Sequence, residues 1–173
     1  MALLLLGVLL ITSQVFATCP EKVAKSNIDS TRMAGVWHNY KVSSNAPPLK
    51  CFHVVVTPGE DGSLGLSQAI YNTTSNSYIQ WSNTLTKESP TSSDAKYADG
   101  SRNFYILDTD YSNFAVWWYC GPKYSNKDET TEVTWLASRT KSLSSSVEVE
   151  ANKALPSGEY VLYDQSGCPE HDH

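Results

Sequence analysis

The chain has 173 residues, 13 Lys and Arg against 18 Asp and Glu, a formal net charge of -5, and 40% hydrophobic residues. This is enough chain for one domain with a real core. It has no basic stripe for nucleic acid and, past its N-terminus, no apolar run for membrane insertion. Five Trp, ten Tyr and many Thr, Val and Ser point to an all-β extracellular domain.

In chain order, Ala2–Ile11 is an uncharged apolar run, Thr12-Ser13-Gln14 is polar, and Val15-Phe16-Ala17 supplies small residues. That is the pattern of a secretory signal peptide cut after Ala17, with residues 18–173 as the mature domain. The run is too short to span a bilayer, which takes about 20 residues. Strands are expected at 35–42, 51–57, 64–72, 77–86, 94–98, 102–108, 114–120 and 130–138, each β-branched or aromatic and bounded by turn chemistry. The turns are Pro58-Gly59-Glu60-Asp61-Gly62, Thr73–Asn76, Ala98-Asp99-Gly100, Thr109–Asn113 and Gly121–Asp128. A helix is expected over 143–155, stopped by Pro156-Ser157-Gly158, with a final strand at 159–163.

Eight strands joined mostly by short turns suit an up-and-down antiparallel barrel, whose interior can hold one small ligand. Successive turns of a meander alternate between its ends. The Gly35-Val36-Trp37 start, the 108–113 turn and Arg139 then share one end. The segments 43–49, 73–76, 98–101 and 121–128 share the other, which the long loops mark as the open mouth. The four cysteines, Cys19, Cys51, Cys120 and Cys168, imply two disulfides in an oxidising compartment, with three connectivities open. Asn72-Thr73-Thr74 is the one N-x-[ST] sequon and falls on a mouth turn, so Asn72 is the expected glycosylation site.

The residues at the closed end carry a resemblance. Asn27-Ile28-Asp29-Ser30-Thr31-Arg32-Met33-Ala34-Gly35-Val36-Trp37 resembles the first lipocalin motif, with Ile in place of Phe. Thr109-Asp110-Tyr111 is similar to the second motif, and Arg139 to the third. Order and spacing fit, and the resemblance covers the whole mature chain. It implies structural roles for Gly35, Trp37 and Arg139, with the guanidinium stacked on the indole from outside the floor. The cysteine placement and the helix-then-strand ending resemble the arthropod branch that holds bilin-binding proteins, insecticyanin and crustacyanin. That likeness implies Cys19–Cys120 and Cys51–Cys168.

The same branch places an interior Trp where Trp135 stands, which sets the parity of the barrel wall. Thr131 and Val133 then face inward beside Trp135, as do Ala115, Trp117 and Tyr119. Val116 and Trp118 face outward under the helix. Gln68 and Ile70 face in from the third strand, and Phe104 and Ile106 from the sixth. An aromatic lining with a few polar handles suits a small apolar ligand. The alternative is a barrel packed solid by the same side chains.

Catalytic chemistry has no carrier here. Two disulfides leave no thiol, His38 alternates outward from Trp37, His53 faces either way, and His171 and His173 lie in the tail. No metal site is expected and no cofactor is required. The reading is a secreted carrier or sequestering protein for a small hydrophobic molecule, with a pigment such as biliverdin as candidate ligand. Two alternatives stand beside it: an interaction or inhibitor protein working through its mouth loops, and a nitrophorin-like haem carrier. Tyr71-Asn72 stands where the haem-ligating His of that type would be expected, which disfavours axial coordination.

Overall fold

The computed structural model describes residues 19–123 and 129–170. Residues 1–17, read above as a signal peptide, Thr18, residues 124–128 of the expected 121–128 turn, and the tail with His171 and His173 lie outside the described residues. Nine strands form: β1 Gly35–Ser43, β2 His53–Pro58, β3 Leu64–Asn72, β4 Ser77–Lys87, β5 Lys96–Asp99, β6 Arg102–Thr109, β7 Phe114–Pro122, β8 Thr130–Ser138 and β9 Tyr160–Leu162. One helix, α1 Ser145–Ala154, precedes β9. Each of β1 to β7 pairs antiparallel with the next, and β8 returns to β1 through His38↔Ser138 and Val42↔Trp135. The eight-stranded barrel is therefore closed. Among the described residues no helix is long and apolar enough to cross a membrane.

Of the boundaries that differ from the sequence reading, two have clear local reasons. Cys51 sits at φ +55°, so the chain joins the ladder only at His53. That leaves the upper edge of β1 unpaired by β2, and β9 covers it through Lys41↔Leu162 and Ser43↔Tyr160. The helix is shorter than 143–155 because Ser144 caps it in extended conformation and Leu155 leaves it before Pro156.

Alternation along the strands divides the apolar residues into three clusters. Trp37, Leu64, Leu66, Leu85, Tyr97 and Ile106 belong to the cluster that fills the lower barrel. Val42, Phe52, Tyr119, Val133 and Tyr163 form an upper cluster. Phe114, Val116, Leu136 and Ala151 pack between the wall and α1. The placement of Trp118 corrects one expectation. It faces outward and is buried, but it packs in the Trp37 cluster rather than with the residues beneath α1. Its cover is the N-terminal strap: Lys22 Nζ lies 6.0 Å from its ring, and Cys19 is bonded to Cys120 two residues along. Only Val116 of the expected pair lies under the helix.

The closed end is a knot of the three motif segments. Trp37 is fully buried, its indole N–H donates to the Met33 carbonyl at 2.8 Å, and the Arg139 guanidinium stacks 3.7 Å from its ring centroid. Arg139 also donates to the carbonyls of Tyr111 (3.0 Å), Ala34 (2.8 Å), Val36 (3.2 Å) and Arg32 (2.9 Å). Gly35 stands at φ +96°, a backbone conformation that favours glycine over residues with a Cβ. The Thr109-Asp110-Tyr111 turn supplies the other side. Asp110 accepts the backbone N–H groups of Ser112, Asn113 and Phe114, and Thr109 Oγ1 accepts that of Tyr111. These bonds hold Tyr111 at φ +67°, its hydroxyl accepting the Asp29 N–H and its ring 4.1 Å from the Arg32 guanidinium carbon.

Candidate ligand cup

Above this floor the barrel opens. A cavity of about 630 Å³ occupies its upper half, within the range of small-molecule sites. Phe104 from β6, Tyr119 from β7 and Trp135 from β8 form one wall, with ring centroids 5.1 Å and 6.2 Å apart in sequence. Phe52 and Trp81 face the same space with centroids 5.9 Å apart and an interplanar angle of 29°. Tyr163 closes the corner, its ring 5.7 Å from Phe52 and its hydroxyl accepting the Trp135 indole N–H at 3.1 Å. Burial pushes the Tyr163 hydroxyl well above the ordinary phenol range, so it remains a neutral partner.

Polar groups are few and mostly matched. Gln68 Nε2 donates to Asn83 Oδ1 at 2.8 Å, and Tyr119 donates to the Pro122 carbonyl at 3.0 Å. Asp99 and Arg102 are the charged residues on the lining and stand 3.6 Å apart at the mouth. The cup is thus close to neutral, which favours apolar occupants over ions. Below the main cavity lies a smaller chamber of about 50 Å³, sharing Phe52, Gln68, Phe104 and Trp135 with it. Trp37 and Trp117 line this lower space.

The residues read from sequence divide by depth. Gln68, Phe104, Tyr119, Val133 and Trp135 line the main cavity, as does Thr131, and Trp117 lines the lower chamber. Ile70 packs beside the upper cluster and is not on the cavity wall. Ile106 is fully buried with Trp37 and is not on a wall of either space. Cys19 is bonded to Cys120 and Cys51 to Cys168. Asn72 ends β3, its side-chain oxygen accepting the N–H groups of Thr74 and Ser75. His53 is buried on the outer side of β2, with Tyr78 edge-on at 5.5 Å and Nδ1 3.1 Å from the Cys51 carbonyl.

Sequence reasoning missed Asn39, Phe52, Trp81, Arg102 and Tyr163. Asn39 and Trp81 were within reach of parity, because Asn39 follows Trp37 by two and Trp81 pairs with Gln68 across β3 and β4. Phe52 and Tyr163 fall within the expected strands 51–57 and 159–163, but no side was assigned to them, and both lie just outside the observed β2 and β9.

A comparison with curated protein sequences found no match. Among solved structures, the fold resembles the major allergen Per a 4 from cockroaches, with a TM-score of 0.68 and 19% identity over 86% of this chain and 96% of that one. It also resembles insecticyanin from the tobacco hornworm Manduca sexta, with a TM-score of 0.68 and 15% identity over 87% of each chain. At these identities the likeness is one of fold. The sequence profile of one family matches residues 34–157, which span β1 to β8, the helix, the second and third closed-end segments, and the Ala34–Trp37 end of the first. With the Trp37–Arg139 floor and the closed eight-stranded wall in place, that match makes the chain a member of the lipocalin / cytosolic fatty-acid binding protein family.

Proposed function

We propose that this chain is secreted through its N-terminal segment 1–17 and that residues 18–173 carry or sequester one small hydrophobic molecule in the barrel. The observation that supports this most is the cup: about 630 Å³, walled by Phe52, Trp81, Phe104, Tyr119, Trp135 and Tyr163, and nearly neutral. A space of this size with so many aromatic walls suits a flat conjugated molecule better than a flexible chain. Each well-placed aromatic pair adds about 0.5–1.5 kcal/mol beyond simple burial. The two disulfides fit an extracellular setting. The finer reading is a linear tetrapyrrole such as biliverdin, in keeping with the motif and cysteine likeness to the bilin-binding branch.

Fluorescence titration tests both levels. Biliverdin at about micromolar affinity should quench the barrel tryptophans to saturation at one molecule per chain. If biliverdin leaves the emission unchanged while retinol or a fatty acid displaces a bound apolar dye, the tetrapyrrole reading fails and the carrier reading stands. If none of them binds, the carrier reading fails as well.

A further inference from the structure

A buried donor at the bottom of the cup says what kind of ligand end belongs there, given the reading that the cup holds a ligand. Asn39 follows Trp37 on the inward face of β1 and is only 3% exposed. Its backbone is matched: the N–H donates to the Phe52 carbonyl at 2.9 Å, and the carbonyl accepts from Gln165 Nε2 at 2.7 Å. Its side-chain Nδ2 is not. Among the described residues no acceptor lies within hydrogen-bonding reach of that atom. Buried polar groups are matched in the great majority of cases, and an unmatched one in a binding cavity marks a position where something else is meant to sit.

The surroundings narrow the partner. Asn39 lines the lower chamber together with Trp37, Val54, Leu66 and Trp117, whose side chains offer no acceptor oxygen, and with Gln68, whose Nε2 donates to Asn83 and whose amide makes no hydrogen bond to Asn39 Nδ2. No wall of that chamber carries a charge. A carboxylate pushed this deep would lose its hydration and find a single neutral donor, which is a poor exchange. A neutral carbonyl oxygen loses far less and gains the bond that Nδ2 lacks. Charged ligand groups instead belong at the mouth, where Arg102 and Asp99 stand.

We propose that Asn39 Nδ2 donates a hydrogen bond to a neutral carbonyl-type acceptor on the end of the ligand that enters first. The cup therefore selects flat apolar ketones, lactams or amides over hydrocarbons of the same shape. An anionic head does not go to the bottom.

The matched probes 9-fluorenone and fluorene isolate this one interaction, since they differ by a carbonyl on the same flat skeleton. Both are titrated against bound N-phenyl-1-naphthylamine in the wild type and in Asn39→Leu, which keeps the bulk and removes the donor. The wild type should prefer fluorenone, and the ratio of the two dissociation constants should fall about five- to tenfold in Asn39→Leu, with fluorene binding unchanged or tighter. An equal ratio in the two proteins overturns the proposal. The infrared carbonyl stretch of fluorenone bound to the wild type gives a reading that needs no variant to fold. A band shifted down from its position in hexane supports the bond, and a band at the hexane position overturns it. Failure of the dye itself to bind the wild type is a different result: it removes the carrier reading, and this inference with it.

Discussion

Replacing Arg139 by Ala removes the clasp on the closed end, and the structure gives the size of the loss. The guanidinium stacks 3.7 Å from the Trp37 ring centroid, a contact worth about 1–2 kcal/mol when partly shielded from water. It also donates to four backbone carbonyls, those of Arg32, Ala34, Val36 and Tyr111. Each charged bond of this kind is worth about 1.5–3 kcal/mol when its partner is left dry. These carbonyls lie at the barrel's outer end, where water can reach them once the side chain is gone. Together they therefore count for roughly one such bond, and the whole substitution should cost about 3 kcal/mol. For a chain of this length that lowers Tm by about 6–12 °C. Thermal unfolding of both proteins with disulfides intact measures it. Binding per folded molecule should hardly change, because the guanidinium lies outside the floor. An Arg139→Ala protein with wild-type Tm would refute the clasp, and one with wild-type Tm but lost binding would place Arg139 in the cup.

Loss of the Cys51–Cys168 bridge, by the double change to Ser, should cost about 4–5 kcal/mol in denaturant unfolding, since its ends are 117 residues apart; an unchanged midpoint would contradict this. Acid should destabilise the fold. The Lys50 ammonium donating at 2.6 Å, with Ser166, holds the Asp164 carboxyl below its ordinary 3.8, and the Lys41 ammonium does the same for Glu148 against 4.5. Stabilisation from such groups is complete above those ordinary values and is lost as pH falls through the lower folded ones. Tm should accordingly drop between pH 5 and pH 2, and a flat or rising Tm there would count against these pairs. Expression in a glycosylating host should give a heavier chain than Asn72→Gln, and equal polypeptide masses would show the sequon unused.

The barrel was legible because its evidence is local. Turn residues and alternation are written along each strand, and turn counting alone places Trp37, the 108–113 turn and Arg139 at one end. The cup was legible only in part. Parity assigned Phe104, Tyr119 and Trp135 to one wall, since each lies within a regular strand. It was not drawn for Phe52 or Tyr163, which lie in the expected strands 51–57 and 159–163 but outside the observed ladders, Phe52 next to the left-handed Cys51 and Tyr163 one residue past β9. Depth was also invisible: Ile106 shares the inward face with Phe104 yet is buried with the floor, because alternation reports the side of a strand and not the height along the barrel. Trp118 went wrong for a related reason. Its outward direction was readable, but what covers it is a segment about a hundred residues away in sequence, tied down by the Cys19–Cys120 bridge.

Native mass spectrometry of the gently purified protein, before and after addition of biliverdin, retinol and a fatty acid, tests the central claim most directly. One small molecule per chain, released on denaturation, is the result expected of a ligand held in the barrel. A bare chain mass under every one of these conditions would contradict it.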